Sequence, residues 1–295
     1  MDRFELDRLS WQHVRNLVLR ADREIAPPRR QAVYADALIV LMYLWAVWHD
    51  RTMRWACERS AYSMLFRPRR LPDPSTFCRR RRSARCLAIL QRVHDLIADV
   101  KRPASLTHLD AKPLPVGACS KDRQAKPGHI TGGYAKGYKL HAVTTDDARI
   151  PVWSVQPMNA DERTIARELL RHTHTLDLAL ADANYDASYL YLGVAAKGGA
   201  LLTPIRKPPN TLRSWRKNCS QRLAALDAWE PWSIGGYVYR ERLQVERTFG
   251  NCTGFAGGLG PLPAWVRTWP RVTQWVGAKI ILYHARLMAR RQLAA

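Results

Sequence analysis

Residues 176–182 read Leu-Asp-Leu-Ala-Leu-Ala-Asp. An apolar run this short, closed by a carboxylate, predicts a buried strand over 176–181 that ends at Asp182. Upstream, Asn159-Ala-Asp-Glu162 sets an N-cap residue three places before an acid, close to a capping box, and predicts a helix over 160–173. Asp161 and Glu162 read as capping acids. Downstream, 187–197 reads as a short helix and Ala200 to Ile205 as a further strand. Tyr138 to Thr145 (YKLHAVTT) carries Tyr138, Leu140, Ala142 and Thr144 at the period of a strand, and Ile150 to Gln156 (IPVWSVQ) is another. Asp146-Asp-Ala-Arg149 between them is turn-like, so the two make a hairpin. Leu106 to Leu109 (LTHL) is a short strand that stops at Asp110, and a Gly- and Lys-rich loop follows from Gly117 to Gly137. A helix over 237–249, a Gly-rich turn and a helix over 271–291 close the chain. This order predicts an α/β layer fold, a mixed sheet flanked by helices.

The first third has a different grain. Leu6, Leu9, Val14, Leu17 and Val18 recur at helical spacing up to Pro27-Pro28. The span from Arg29 to Ala61 holds the apolar run Ala37 to Trp48 and predicts the core helix of an all-helical domain. After Pro68, Pro72 and Pro74, Asp73 or Ser75 caps a helix starting near Thr76. That helix carries Arg79, Arg80, Arg81 and Arg82 and continues through Leu87, Leu90, Val93 and Ile97. Segment 65–85 holds eight Arg against one acid. This suits a helix-turn-helix-like DNA reader, the alternative being a solvated basic face. Lys101-Arg102-Pro103 reads as a linker, giving a helical Arg-rich domain over 1–102 and a second domain over 103–295.

Charge narrows the function. Over 295 residues, 47 Lys and Arg against 25 acids leave +22, and 37 of the bases are Arg. Guanidinium pairs with phosphate bidentately, so the excess points to nucleic acid. The longest apolar run has twelve residues, short of the ~18 a membrane span needs. The N-terminal MDRFELDRLSWQ lacks the basic-then-apolar order of a signal peptide. Six cysteines form no CxxC pair, which excludes zinc-finger spacing and fits free thiols in a reducing cytoplasm. No internal repeat is visible. The 197–222 stretch has seven bases and no acid, and reads as a DNA-backbone groove or a solvated loop. The eleven Trp read mainly as packing residues.

Three carboxylates carry chemistry. Asp110 and Asp182 each close an apolar strand, where a carboxylate either caps the next turn or holds a metal. On a helix, Tyr239, Arg242 and Glu246 share one face at i, i+3 and i+7. Glu246 is either a salt-bridge partner or a third ligand. Phosphodiester exchange needs the attacking and leaving oxygens stabilised together, which two Mg²⁺ ions achieve for in-line displacement. Three carboxylates supply the hard oxygen donors such ions take. Tyr239 and Arg242 would then hold a phosphate. His108 and His141 read as satisfied sheet histidines, and Lys139, beside His141, points to DNA.

Taken in order, four segments resemble bacterial insertion-sequence transposases of the DDE class. They are Leu106–Val116, Gly133–His141, Ala181–Asp186 and Tyr239-(2)-Arg242-(3)-Glu246. Leu71–Phe77 resembles the family's segment before an Arg-rich helix. The resemblance covers most of residues 70–285. It implies an RNase H-like catalytic domain with Asp110, Asp182 and Glu246 as ligands of two Mg²⁺ ions, Mn²⁺ substituting. It also implies binding to terminal inverted repeats, strand cleavage and joining, and a homodimer that synapses two element ends in the bacterial cytoplasm, associated with the nucleoid. No small-molecule cofactor and no membrane partner are expected. The gap of 64 from Asp182 to Glu246 leaves no room for a large inserted β-domain. Two positions depart from the pattern. Thr253 stands where the family has Lys, so a contact to the element end is either missing or replaced by a neighbour such as Arg247, and Asn184 stands where Gly precedes the Tyr. Alternatives are an RNase H-like DNA nuclease without joining, and an inactive DNA-binding relic.

Overall fold

The computed structural model describes residues 2–26, 32–117, 119–130, 132–174, 176–204, 218–229 and 232–295. The chain divides into two compact units. One gathers Met1–Ala98 with Cys252–Val266 and Gln274–Ala295, and the other Asp99–Asn251 with Arg267–Thr273.

The second unit is built on a six-stranded sheet. Its strands are β1 (Leu106–Pro115), β2 (Lys126–Ile130), β3 (Gly133–Thr145), β4 (Val152–Pro157), β5 (Leu178–Ala181) and β6 (Ala200–Leu202). Strand β3 pairs antiparallel with β1 along one edge, and with β2 and then β4 along the other. Parallel β5 and β6 extend the sheet beyond β1. This mixed sheet, flanked by helices and preceded in sequence by an N-terminal helical region, is the RNase H-like arrangement the resemblance implied. Helices α5 (Glu162–His172) and α6 (Ser188–Ala195) cover one face, where Leu109, Val143, Leu169, Ala181 and Leu190 form a core.

Two expectations need correction here. Strand β1 does not stop at Leu109: it runs on to Pro115, so Asp110 sits mid-strand opposite Ala142. The expected loop over 117–137 contains β2 and the start of β3. Pro127 hid β2, because proline lacks a ladder donor and is confined to sheet edges, and β2 is such an edge. Gly137 is needed where β3 is flanked by both Pro115 and Lys126. A Cβ there would lie 2.4 Å from the Leu114 carbonyl oxygen.

The helical unit contains α1 (Arg3–Glu24), α2 (Asp36–Trp48), α3 (Pro74–Arg80), α4 (Ala84–Ile97) and most of α10 (Trp269–Ala294). Helix α2 is shorter than the expected 29–61 span, and twelve of its thirteen residues are buried. A helix apolar all round is a core helix. Its Trp45 packs edge-on against Trp11 at 4.9 Å and donates to the Ala61 carbonyl at 2.8 Å. From α10, the 1 %-exposed Lys279 donates to the carbonyls of Val47 (2.8 Å) and Gly257 (3.0 Å) and pairs with Asp50. An ammonium at a helix C-terminus complements the helix dipole.

The single Arg-loaded helix expected from Thr76 is two helices. Asp73 caps α3, and Ser83 starts α4 by accepting from the Cys86 N–H at 3.3 Å. The expected break at Pro27-Pro28 lies outside the described residues.

Candidate active site

Asp110 and Asp182 come together because β1 and β5 are adjacent parallel strands. Leu109 pairs with Ala181, so Asp110, still within β1, and Asp182, just past the end of β5, lie at the same level of the sheet. The Asp110 side chain is 17 % exposed. Its Oδ1 accepts the Ala111 N–H at 2.8 Å, and its Oδ2 lies 3.4 Å from Arg242 Nη2. Burial raises its carboxyl to about 6. The charges of Asp182 and Glu162 push the same way, while the Ala111 N–H and Arg242 oppose them. Asp182 Oδ1 accepts the Asn184 N–H at 2.8 Å and caps the short turn Ala183–Tyr185. A cap and a metal ligand are not exclusive, since a carboxylate has two oxygens.

The Tyr-Arg-Glu triplet does not ride one regular helix. Tyr239 ends α8 (Gly235–Tyr239), Arg242 ends a 3₁₀ turn (Arg240–Arg242), and Glu246 lies in α9 (Leu243–Thr253). His108 explains where the turn sits. It is fully buried on β1, with one ring nitrogen 3.1 Å from the Glu241 carbonyl and the other 3.4 Å from Thr144 Oγ1. The turn is thus tied to the strand two residues before Asp110. Sequence read His108 as a satisfied sheet histidine, which it is, but gave no sign that it anchors Arg242.

Arg242 links the acids. Its Nη2 reaches Asp110, and its Nη1 is 3.8 Å from Glu246, which is 61 % exposed. Its buried Nε has no acceptor among the described residues. Tyr239, edge-on to Trp229 at 5.1 Å, has its phenol raised by burial, with Arg242 opposing and Asp182 and Asp110 adding to the rise. The oxygen donors of Asp110 and Asp182 suit a hard divalent cation. Among the described residues, Arg242 bridges Glu246 and Asp110. Among the described residues, no three His, Cys, Asp or Glu side chains are grouped closely enough to hold a metal.

Other singled-out residues land as follows. Lys139 is not a free phosphate ligand: its Nζ pairs with Glu162 Oε1 at 2.5 Å, and it is 12 % exposed. Glu162 therefore is not the cap of α5, a role that Asp161 fills by accepting the Thr164 N–H. The 23-residue separation of Lys139 and Glu162 left no local signal. His141 is not satisfied. It is 1 % exposed, neither ring nitrogen has a partner among the described residues, and burial lowers it to about 4.

In the helical unit, Arg79 and Arg82 are exposed. Arg80 is held by Asp36 at 2.7 Å, and Arg81 by Gln274 at 2.8 Å and the Tyr43 ring. Arg247 is exposed on α9. Of the basic 197–222 stretch, residues 205–217 lie outside the described set. Arg222 pairs bidentately with the buried Asp186 at 2.7 Å and is not open to DNA.

The family of transposase DDE domains matches residues 101–282. No curated protein matches the sequence.

Proposed function

We propose that this chain, which belongs to the transposase DDE domain family, binds the terminal inverted repeats of an insertion sequence and catalyses metal-dependent strand cleavage and strand transfer. Membership makes it a transposase-family protein, and such domains work by nucleotidyl transfer on DNA with divalent metals. The observation that carries the finer reading is the gathering of Asp110 on β1, Asp182 just past the end of the adjacent parallel β5, and Tyr239 and Arg242 beside them.

Asp110, Asp182 and Glu246 would hold two Mg²⁺ ions, or Mn²⁺ in their place, which activate the attacking oxygen and stabilise the leaving one. Glu246, 3.8 Å from Arg242 Nη1, would be the third member of that set. Arg242 then offers its guanidinium, including the unused Nε, to a DNA phosphate, with Tyr239 beside it. Arg247 is exposed for the strand next to the site. Lys139 contributes only where DNA draws it from Glu162. In the helical unit, exposed Arg79 and Arg82 grip the DNA backbone, while Arg80 and Arg81 fix the helices that carry them. A homodimer joins two ends, and the setting is the bacterial cytoplasm at the nucleoid. No helix among the described residues is long and apolar enough to cross a membrane.

The test is cleavage and joining on DNA carrying the flanking inverted repeats, with Mg²⁺, with EDTA, and with Asp110→Asn. Metal-dependent joining lost in Asp110→Asn supports the proposal. Cleavage without joining makes the protein a nuclease. Binding with no cleavage in Mg²⁺ or Mn²⁺ makes it a relic.

A further inference from the structure

Beside the carboxylates, the sheet unit holds a cavity of about 450 Å³ that the proposed chemistry does not use. Its size is that of small-molecule sites, ~300–1,000 Å³. One wall is the β2–β3 hairpin, where His129 and Tyr134 pair directly across the strands. Their rings lie 4.0 Å apart, the Tyr134 hydroxyl is 2.6 Å from His129 Nε2, and Tyr134 is 70 % exposed. A bonded aromatic pair held out towards solvent is a preformed stacking platform. Asn159 and Asn184 also line it, each carrying an amide.

The charges in the cavity say what it does not bind. Lys139 is neutralised by Glu162 at 2.5 Å, and Arg163 has Asp161 at 3.7 Å. With both cations paired to lining acids, the cavity is poorly suited to a phosphate. An aromatic face, two amides and balanced charge suit a flat, neutral ligand that hydrogen-bonds at its edge. Asn184 also ties the cavity to the reaction centre, since its N–H is bound by Asp182.

We propose that this cavity receives one unpaired nucleobase of the DNA strand lying on Asp110 and Asp182, stacked on Tyr134 and read at its edge by Asn159 and Asn184. The inference rests on the DNA-processing reading above. Stacking on an aromatic side chain is sequence-tolerant, so the pocket marks an unpaired position more than a particular base.

The full chain is titrated, in EDTA, with two random-sequence duplexes, one fully paired and one with a single bulged 2-aminopurine. The expected result is tighter binding of the bulged duplex with quenched fluorescence. Tyr134→Ala should weaken bulge binding about 5- to 150-fold and leave paired-duplex affinity unchanged. Tyr134→Phe should retain the preference, because the ring remains. The proposal is overturned if wild type shows no preference, if Tyr134→Ala weakens both duplexes equally, or if Tyr134→Phe behaves as Tyr134→Ala. Failure to bind either duplex overturns the DNA-processing reading itself, and this proposal with it.

Discussion

Removing Asp186 tests what holds the Asp182 turn in place. Asp186 is 3 % exposed and meets Arg222 through two parallel contacts of 2.7 Å, with Arg222 13 % exposed. Breaking a buried pair from one side leaves an uncompensated charge and costs about 3–5 kcal/mol. Arg222 keeps the Asn218 amide, which places Asp186→Ala at the low end, about 3 kcal/mol. Tyr191 also loses a 3.2 Å bond to Asp186 but keeps Thr203 at 2.9 Å, a minor addition. In a unit of this size each kcal/mol moves the melting midpoint by about 2–4 °C, so a fall of about 6–12 °C is expected. Asp186→Leu with Arg222→Met removes both charges and should recover most of that loss, because apolar replacement of a whole pair is often neutral. The assay is thermal unfolding by circular dichroism of the full chain, with Mn²⁺ binding as a second readout. Asp186 closes the turn begun by Asp182, so Mn²⁺ affinity should fall in the single variant and return in the double. A midpoint within about 2 °C of wild type for Asp186→Ala, or a double variant no better than the single, would refute the argument.

Other consequences are more compact. Ser83→Ala removes the cap of α4 and should cost about 1 kcal/mol, read as a lower denaturant midpoint. The folded pKa of His141, about 4, lies below the unfolded value near ~6.5. Its contribution is therefore present above ~6.5 and is lost as pH falls towards 4, at about 1.4 kcal/mol per pH unit. His141→Leu should flatten that acid limb and be neutral or stabilising at pH 7. If the limb keeps its slope, the histidine is not responsible. Arg242→Gln should lift the Asp110 carboxyl above its value of about 6, because the guanidinium holds it down. Carbon-detected titration in EDTA reads this, and an unchanged Asp110 would show that the 3.4 Å contact does not operate in solution.

Much of the sheet could be read from sequence because its signals are local. The hairpin over 138–156 announced itself by alternation, and the strand before Asp182 by its apolar run. The errors arose where a long-range partner overrode local chemistry. Strand β1 continues through Lys112 and Pro113 because β3 pairs with it along that whole length. Pro127 and Gly128 read as loop yet form an edge strand against β3. At the site, the residue types of Asp110, Asp182, Tyr239, Arg242 and Glu246 were legible from their spacing. The engagement of Lys139 with Glu162, of Arg222 with Asp186 and of Arg80 with Asp36 was not, since each joins residues 23 or more apart. A count of basic residues cannot separate a guanidinium offered to DNA from one already used inside the protein.

The helical unit is assembled from both ends of the chain: Lys279 reaches back to the carbonyl at the end of α2, Arg286 pairs with Asp7 at 2.7 Å, and Ala289 packs with Leu6 and Leu9. Translation delivers these pieces in an order that matters. The segment up to Ala98 leaves the ribosome before the helix that completes its core, whereas Asp99–Asn251, which holds all six strands, is one continuous stretch able to form its sheet as it emerges. The helical unit is thus completed after the sheet unit. A product interrupted before residue 274 would carry a formed sheet unit on an incomplete helical one. In such a fragment the helical unit would lack the contacts of Lys279, Arg286 and Ala289, and translation through α10 sets when that unit can fold.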